Sequence, residues 1–452
     1  MKSYTVLISI VAALGGLLFG FDTAVIAGTL HYLKAVFLLN DAEIGLVVGA
    51  ASIGCIPGAL FAGGLADRFG RKKLMIVTAL LYIIAAIGSG IAANFIQLVS
   101  YRLVGGIAIG MASTLAPIYI SEVAPPAFRG RLGMLQQLAI VSGILLSFIS
   151  NYLIANDKSL SFLNESNHWR YMLAAAVIPS VIFFILLLLV PESPRWLVSK
   201  NKISDAQNVF GSIYSDGESQ EQVKLVTDDI ASESKPTLGD VFSPRFRRVV
   251  IIGLVFASIA QLTGINIVFY YAPLIFEKIH VGGSVLFQTI LTGVVNLIFT
   301  ILAFPLIDRL GRKKLLLIGS TIMGLCMFAL AALFHFNMLQ NYFVLLTIFV
   351  YIGGFACTWG VVLWVYVAEI FPNKIRGTAT SIAVFGNWVA NSIVSLTFPV
   401  MLSQLGPVAT FGVYAIVNFS MILFVSRYVF ETKGVPLERI EELYTQTKTA
   451  KF

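Results

Sequence analysis

The sequence predicts an all-α membrane protein: twelve transmembrane helices in two pseudo-symmetric six-helix bundles, joined by a small cytoplasmic helical linker domain. Three observations predict it. Mean hydropathy is +0.87 and 12% of the residues are charged, a balance outside the range of ordinary soluble domains. Apolar runs of roughly 20 residues, the length that spans about 30 Å of hydrocarbon, recur along the whole chain. Polar phrases at the ends of these runs also repeat. Asp67-Arg68-Phe69-Gly70-Arg71-Lys72-Lys73 returns 241 residues later as Asp308-Arg309-Leu310-Gly311-Arg312-Lys313-Lys314. The phrase E-x-x-P-x-x-x-R-G at Glu122, Pro125, Arg129 and Gly130 returns 247 residues later at Glu369, Pro372, Arg376 and Gly377. Glu192-Ser193 is echoed by Glu431-Thr432. Phrases recurring in order at nearly constant offset indicate a duplicated half.

Taken in order, the runs fall near 5–30, 44–64, 74–93, 97–119, 132–154 and 171–190, then 249–276, 284–306, 315–335, 342–366, 378–402 and 408–429. The duplication requires six per half and finds six. The domains expected are a first bundle at 1–194, a cytoplasmic linker at 195–248, a second bundle at 249–430 and a cytoplasmic tail at 431–452. Span 1 holds an acid and lacks a short apolar core followed by a cleavage site, so it reads as a retained helix. Span 7 is interrupted by Thr263-Gly264-Ile265-Asn266, which weakens a helix there. Within the linker, Ser204–Tyr214 and Gln220–Ile230 are patterned as short amphipathic helices, and the tail is helical in pattern around Leu437–Tyr444.

The formal net charge of +8 is distributed as topology rather than as a nucleic-acid surface. With the N-terminus inside, 26 of the 31 Lys and Arg residues fall in cytoplasmic stretches, four (Lys34, Lys158, Arg170, Lys278) in external loops, and Arg102 within a span. By the positive-inside rule both termini are cytoplasmic. Cys55, Cys326 and Cys357 lie within spans and far apart, giving neither a disulfide framework nor a metal spacing. His31, His168, His280 and His335 sit in or beside external loops without metal-binding spacing. No nucleophile, base and metal set converges, so an enzyme is disfavoured, and no cofactor or metal is expected. Asn164-Glu165-Ser166 has the form of a glycosylation sequon, a tripeptide common by chance.

Two charges stand inside spans: Asp22 in span 1 and Arg102 in span 4. A carboxylate at mid-membrane costs about 2.5–3.5 kcal/mol on insertion scales, which makes it a functional hypothesis by default. Burial favours the protonated carboxyl and a nearby arginine the ionised one, so a pair whose separation changes with conformation loads and releases a proton. The competing reading is a permanent ion pair that locks two helices.

Uncharged polar groups cluster as well: Gln136-Gln137 in span 5, Gln261 and Asn266 in span 7, Asn296 in span 8, and Asn387 and Asn391 in span 11. Span 10 carries Gly353-Gly354 and Gly360 with Trp359 and Trp364. Amides both donate and accept, and aromatic faces stack on the C–H face of a sugar ring, so a neutral polyhydroxylated ligand fits this lining. Taken singly, each amide has an equal reading as a hydrogen bond between helices, Tyr270 as packing, and Trp388 as an interface anchor. The repeated phrases have a mechanical reading as ion pairs that close the cytoplasmic face, with Glu122 and Arg129 facing the 67–73 loop and Glu369 and Arg376 facing the 308–314 loop. Their other reading is topology alone.

These residues carry a resemblance. Asp67–Lys73 and Asp308–Lys314, Pro191-Glu192-Ser193-Pro194-Arg195-Trp196-Leu197, Gln261–Asn266 followed by Tyr270-Tyr271-Ala272-Pro273, Glu369–Gly377, and Glu431-Thr432-Lys433-Gly434 are similar to the sugar porter branch of the major facilitator superfamily over essentially the whole chain. The resemblance implies alternating access around a midplane site. Bacterial sugar:proton symporters of this branch have Asp where Asp22 stands and Arg where Arg102 stands, while related facilitative carriers have Asn at the first position. It implies sugar contacts at Phe19, Gln137, Gln261, Asn266, Tyr270, Asn296, Gly360, Trp364, Asn387 and Trp388. It also implies a cytoplasmic gate built from Asp67, Arg68, Arg71, Glu122, Arg129, Glu192, Asp308, Arg309, Arg312, Glu369, Arg376 and Glu431. The chain departs from the pattern in four places. Ala260 stands where the family has the first of two glutamines, Asn387 where the xylose symporter has Gln, and Phe430 where the tail motif begins with Pro. Val361 stands where Pro commonly follows the span 10 glycine, which predicts a milder helix break. The expectation is a monomeric, proton-coupled monosaccharide importer of the cell membrane, with sugar, proton and bilayer as its partners and no nucleic acid. A uniporter in which Asp22 is structural, a transporter-like sugar sensor and an exporter of drug-like cations are the alternatives.

Overall fold

Helix is the only regular structure among the described residues, which in this computed structural model are 3–125, 128–156, 166–214, 216–232, 238–277, 284–339, 342–372 and 375–433. The first half comprises α1 (Ser3–Phe37), α2 (Asp41–Phe69), α3 (Arg71–Ile91), α4 (Phe95–Val123), α5 (Arg129–Asn156), α6 (His168–Ala174) and α7 (Val177–Leu189). Four short helices follow: α8 (Pro194–Ser199), α9 (Ile203–Ile213), α10 (Asp216–Ser232) and α11 (Leu238–Val241). The second half comprises α12 (Arg247–Leu262), α13 (Ile265–Glu277), α14 (Val285–Leu310), α15 (Arg312–His335), α16 (Phe343–Cys357), α17 (Trp359–Ile370), α18 (Arg376–Gln404) and α19 (Gly406–Tyr428). Taking α6–α7, α12–α13 and α16–α17 as broken single spans, twelve helices among the described residues are long and apolar enough to cross a membrane.

Several helices outrun their apolar cores because their ends are capped. At α2 the Asn40 side chain accepts from Glu43 N (3.0 Å) while Glu43 Oε2 accepts from Asn40 N (2.9 Å), a reciprocal capping box. Asn94 Oδ1 accepts from Gln97 N (2.9 Å) at the start of α4, and Ser193 caps α8 with Pro194 at its first position. The expected interruption of span 7 is present between α12 and α13, at Thr263-Gly264, where Gly264 has φ +93°. Span 10 breaks at Thr358, just before the glycine on which the sequence reading centred. The break of span 6 at Ala175-Ala176 is marked by Pro179, which has no N–H for the Ala175 carbonyl and whose ring clashes with it, so that carbonyl accepts from Ile178 N (3.2 Å) instead.

Contacts divide the chain into two compact units, 1–32 with 53–234, and 33–52 with 235–452. In the first unit, helices cross at glycine. A Cβ on Gly20 of α1 would stand 1.9 Å from Ile140 O of α5, and one on Gly143 would stand 2.0 Å from Leu17 O. Gly54, Gly58 and Gly110 bring α2 and α4 equally close. Where lipid is as apolar as leucine, such backbone contact supplies the packing that the hydrophobic effect does not. The α8–α10 helices pack on one another in the same unit, α9 burying Ala206, Val209, Phe210 and Ile213 at helical spacing. Both amphipathic helices expected in the linker are thus present. In the second unit the early part of α2 lies on α18: Gly45 faces Leu396 O, and Ser52 Oγ donates to Asn391 Oδ1 (3.3 Å). The tail helix expected around 437–444 and the Asn164 and Glu165 positions of the sequon lie outside the described residues.

Candidate functional site

In the first unit the two intramembrane charges meet. Arg102 of α4 donates from one Nη1 to Asp22 O (3.0 Å) and to Asp22 Oδ2 (3.3 Å), with the two side chains 2% and 11% exposed. The contact is single-pronged and long for a charge-assisted bond, and Arg102 Nε has no hydrogen-bond partner among the described residues. Gly105, one helical turn on from Arg102, lets the carboxylate lie against α4, since a Cβ there would stand 3.3 Å from Asp22 Oδ2. Phe19 and Gln137 are half-buried on α1 and α5.

In the second unit three of the predicted amides form one chain of hydrogen bonds. Gln261 Nε2 donates to Asn387 Oδ1 (2.7 Å), and Asn266 Nδ2 donates to Gln261 Oε1. Gln261 precedes the break and Asn266 follows it, so the second bond bridges the interruption. The break is itself held: Tyr351 Oη of α16 (2.8 Å) and Asn418 Nδ2 of α19 (3.0 Å) both donate to Thr263 O, a carbonyl that helix continuation would have used. Asn296, Tyr270 and Trp388 are buried, Trp364 is half-buried, and Gly360 opens α17 beside Trp359, whose Nε1 donates to Ser320 Oγ (3.0 Å). Asn391 is engaged with Ser52 and Ser395.

The repeated phrases build the same corner twice. Arg71 donates from Nε to Glu122 Oε2 (3.1 Å) and from Nη2 to Glu122 Oε1 (3.0 Å), and Arg312 forms the equivalent fork on Glu369 (3.1 and 2.7 Å). Asp67 and Asp308 lie 2.9 and 3.9 Å from these arginines, one helical turn earlier. Glu192 accepts from the backbone N–H groups of Arg71 (2.9 Å) and Lys72 (3.0 Å), and Glu431 from those of Arg312 (3.0 Å) and Lys313 (3.1 Å). Both acids therefore sit on a helix N-terminus, where backbone donors and the dipole favour negative charge. Gly70 (φ +103°) and Gly311 (φ +82°) make the turns that aim those donors. Lys72 Nζ reaches Leu188 O and Lys313 Nζ reaches Ser426 O, extending the likeness. All of these contacts lie within one unit or the other. Arg68 stacks on Phe69, Arg376 Nε donates to Phe371 O (3.3 Å), and Arg309 O accepts from Lys433; the Arg129 side chain lies outside the described residues.

The sequence reading did not single out Tyr82, Tyr351 or Asn418, and gave no site role to Cys55 or to Thr432, whose Oγ1 donates to Glu369 Oε2 (2.6 Å). Asn418 is a polar residue in an apolar run, the same signal that found the other amides; the tyrosines carry none, being ordinary membrane residues.

A twelve-span membrane protein of two like halves, with a buried acid–base pair in one and an amide array at a helix break in the other, is a secondary transporter by architecture. A family model described as "Sugar (and other) transporter" matches residues 8–444. The chain is 38% identical to the arabinose-proton symporter of Bacillus subtilis over 442 residues, covering 98% of this chain and 95% of that one. It is 38% identical to the D-xylose-proton symporter of Escherichia coli over 476 residues, covering 98% and 96%. Among solved structures, the partially occluded inward-open xylose transporter of Escherichia coli aligns with a TM-score of 0.86 at 37% identity, over 96% of this chain and all of that one. The same proton:xylose symporter bound to 6-bromo-6-deoxy-D-glucose aligns at 0.83 with 38% identity, over 98% and 99%. The chain belongs to the sugar transporter family, the sugar porter branch of the major facilitator superfamily; its members are transporters, not enzymes.

Proposed function

We propose that this chain is a proton-coupled importer of a monosaccharide, a pentose or hexose, that works by alternating access. The observation that carries the reading is the Asp22–Arg102 pair, buried in the apolar core and joined through one guanidinium nitrogen. A pair this lightly tied has two accessible states. With a proton on Asp22 the attraction to Arg102 is lost and α1 and α4 are released from each other; with the proton gone the ion pair reforms. The proton enters from outside, so each turnover draws on the membrane potential, about 2.3 kcal/mol per 100 mV. The names of the relatives, arabinose-proton and D-xylose-proton symporters, support the same assignment.

The sugar is read by Gln261, Asn266, Asn296 and Asn387 with Trp364, Tyr270, Trp388 and the backbone at Gly360, and Phe19 and Gln137 are proposed as further contacts. The existing bonds among Gln261, Asn266 and Asn387 hold the amide planes, and the hydroxyls of a sugar complete their remaining valences. The Arg71–Glu122 and Arg312–Glu369 corners, with Glu192 and Glu431, act as the cytoplasmic gate by stiffening each half where it must open. The protein is placed in the cell membrane as a monomer, with both termini cytoplasmic.

Uptake of labelled xylose, arabinose, glucose and galactose into liposomes, with and without an inward proton gradient, tests this for wild type and Asp22→Asn. Gradient-driven accumulation in wild type and simple equilibration in the variant are expected. Equal equilibration of one sugar by both proteins makes Asp22 structural and the chain a uniporter. Binding of a sugar without flux would make it a sensor.

A further inference from the structure

Each of the first four helices of the first unit contributes one polar side chain to a single buried cluster: Asp22 from α1, Cys55 from α2, Tyr82 from α3 and Arg102 from α4, with 8%, 0%, 2% and 2% exposure. The Asp22 charge acts on both the Tyr82 hydroxyl and the Cys55 thiol, and Arg102 acts on the thiol. Packing agrees with this. The point where a Gly105 Cβ would sit is 3.3 Å from Asp22 Oδ2 and 3.3 Å from Ala85 Cβ, and Ala85 is one turn of α3 from Tyr82 on the same face. Tyr82 Oη has no hydrogen-bond partner among the described residues, and neither has Arg102 Nε. A buried phenol without a partner is costly, and buried tyrosines ordinarily find one. Arg102, in contact with Asp22, and Tyr82 and Cys55, on which its charge acts, are the titratable or charged groups around Asp22 among the described residues.

We propose that Tyr82 is a positioning residue for proton coupling: its hydroxyl turns to the Asp22 carboxylate as the proton leaves and before Arg102 closes on it, so that Asp22 ionises without standing as a bare charge in the core. The chemistry favours the phenol for this task over its neighbours. Arg102 is fixed in charge and holds Asp22 through one nitrogen, and a thiol is a weak donor. Tyr82 is a neutral strong donor of the same buried cluster, and no acceptor among the described residues claims its hydroxyl. The inference rests on the coupling reading for its biological meaning, yet it can be measured apart from transport.

The test is an infrared difference titration of the full-length protein in detergent, with the Asp22 carboxyl band assigned by its loss in Asp22→Asn. Tyr82→Phe keeps the ring and removes the donor. Its Asp22 protonation midpoint is expected to move by about one pH unit to the alkaline side, as loss of a hydrogen bond to the charged form requires. Tyr82→Leu is expected to shift it the same way and serves if the first variant is poorly folded. In liposomes, gradient-driven uptake by Tyr82→Phe should persist to correspondingly higher pH. A midpoint that superposes on wild type overturns the inference, whatever happens to the transport rate. A shifted midpoint in a protein that never accumulates sugar keeps the Tyr82 role and removes the symport reading instead.

Discussion

Single atoms decide several of the contacts that shape this molecule. Gly20 and Gly143 meet across α1 and α5 with backbone oxygens about where a methyl group would go, and backbone cannot step aside as a side-chain end can. Gly20→Ala is therefore expected to destabilise the protein by about 1–3 kcal/mol or more, seen as an early loss of the monodisperse peak on heating in detergent. Gly64→Ala, at a helical position with nothing within 4 Å, is expected to be neutral or slightly stabilising in the same assay. At the amide array, Asn387→Leu removes the acceptor of Gln261 Nε2 and leaves the amide held only through its bond from Asn266. Sugar affinity is expected to fall about tenfold, the equivalent of one lost buried bond, while the fold persists. Isothermal titration with the transported sugar measures it; an unchanged affinity would place the sugar elsewhere.

At the scale of helices, the charged corners are caps as much as latches. Glu192 and Glu431 each cover two N–H groups at the start of α3 and α15, at turns whose preceding glycine has no side chain to do so. Glu192→Ala is expected to lower the unfolding temperature by an amount matching a lost cap, about 1–2 kcal/mol. The two forks are not equivalent in burial: the side chain of Glu122 is 8% exposed, that of Glu369 is 24%. Arg71→Ala strands a more deeply buried carboxylate than Arg312→Ala does and is expected to be the more destabilising. Comparing the two melting temperatures checks this, and a larger drop for Arg312→Ala would refute it. How these elements arise was partly legible beforehand. Apolar length located the twelve spans, and Thr263-Gly264 located the break in span 7. The helix overruns escaped an apolar-length reading because they depend on caps beyond the run, and the α6–α7 break was passed over although Pro179 signals it. The echo of Glu192 in Glu431 was visible, but not that both acids bind backbone rather than arginine side chains, since sequence pairs charges and is blind to N–H groups.

For the whole molecule the repeat was the most readable feature, and it is reproduced down to the lysines that reach Leu188 O and Ser426 O. The Asp22–Arg102 encounter was legible as two isolated charges in need of partners. The Gln261–Asn387 bond was not, since it joins residues 126 apart whose separate readings were each ambiguous. One proton per sugar at 100 mV, at about 2.3 kcal/mol, supports a concentration ratio of about 40-fold, because 1.4 kcal/mol is a factor of ten. Vesicles clamped by a potassium diffusion potential at that voltage, without a pH difference, are expected to approach this ratio in wild type. Asp22→Asn is expected to stop at equality. A wild-type plateau near 1 would rule out electrogenic coupling.

The interruption at Thr263 has a consequence of its own. One carbonyl oxygen has two lone pairs, and here both are taken, by Tyr351 and by Asn418, from two different helices. The lesion in the helix is thus a set elbow rather than a slack joint, its angle dictated from outside. Gln261 and Asn266 lie on the two arms of that elbow, and the bond between them measures its opening. Substitutions at Tyr351 or Asn418 would respace the amides without touching anything they bind. On the proposed sugar site, selectivity is then tuned in part by residues that the sugar never meets, and a library confined to the proposed contacts would pass them by.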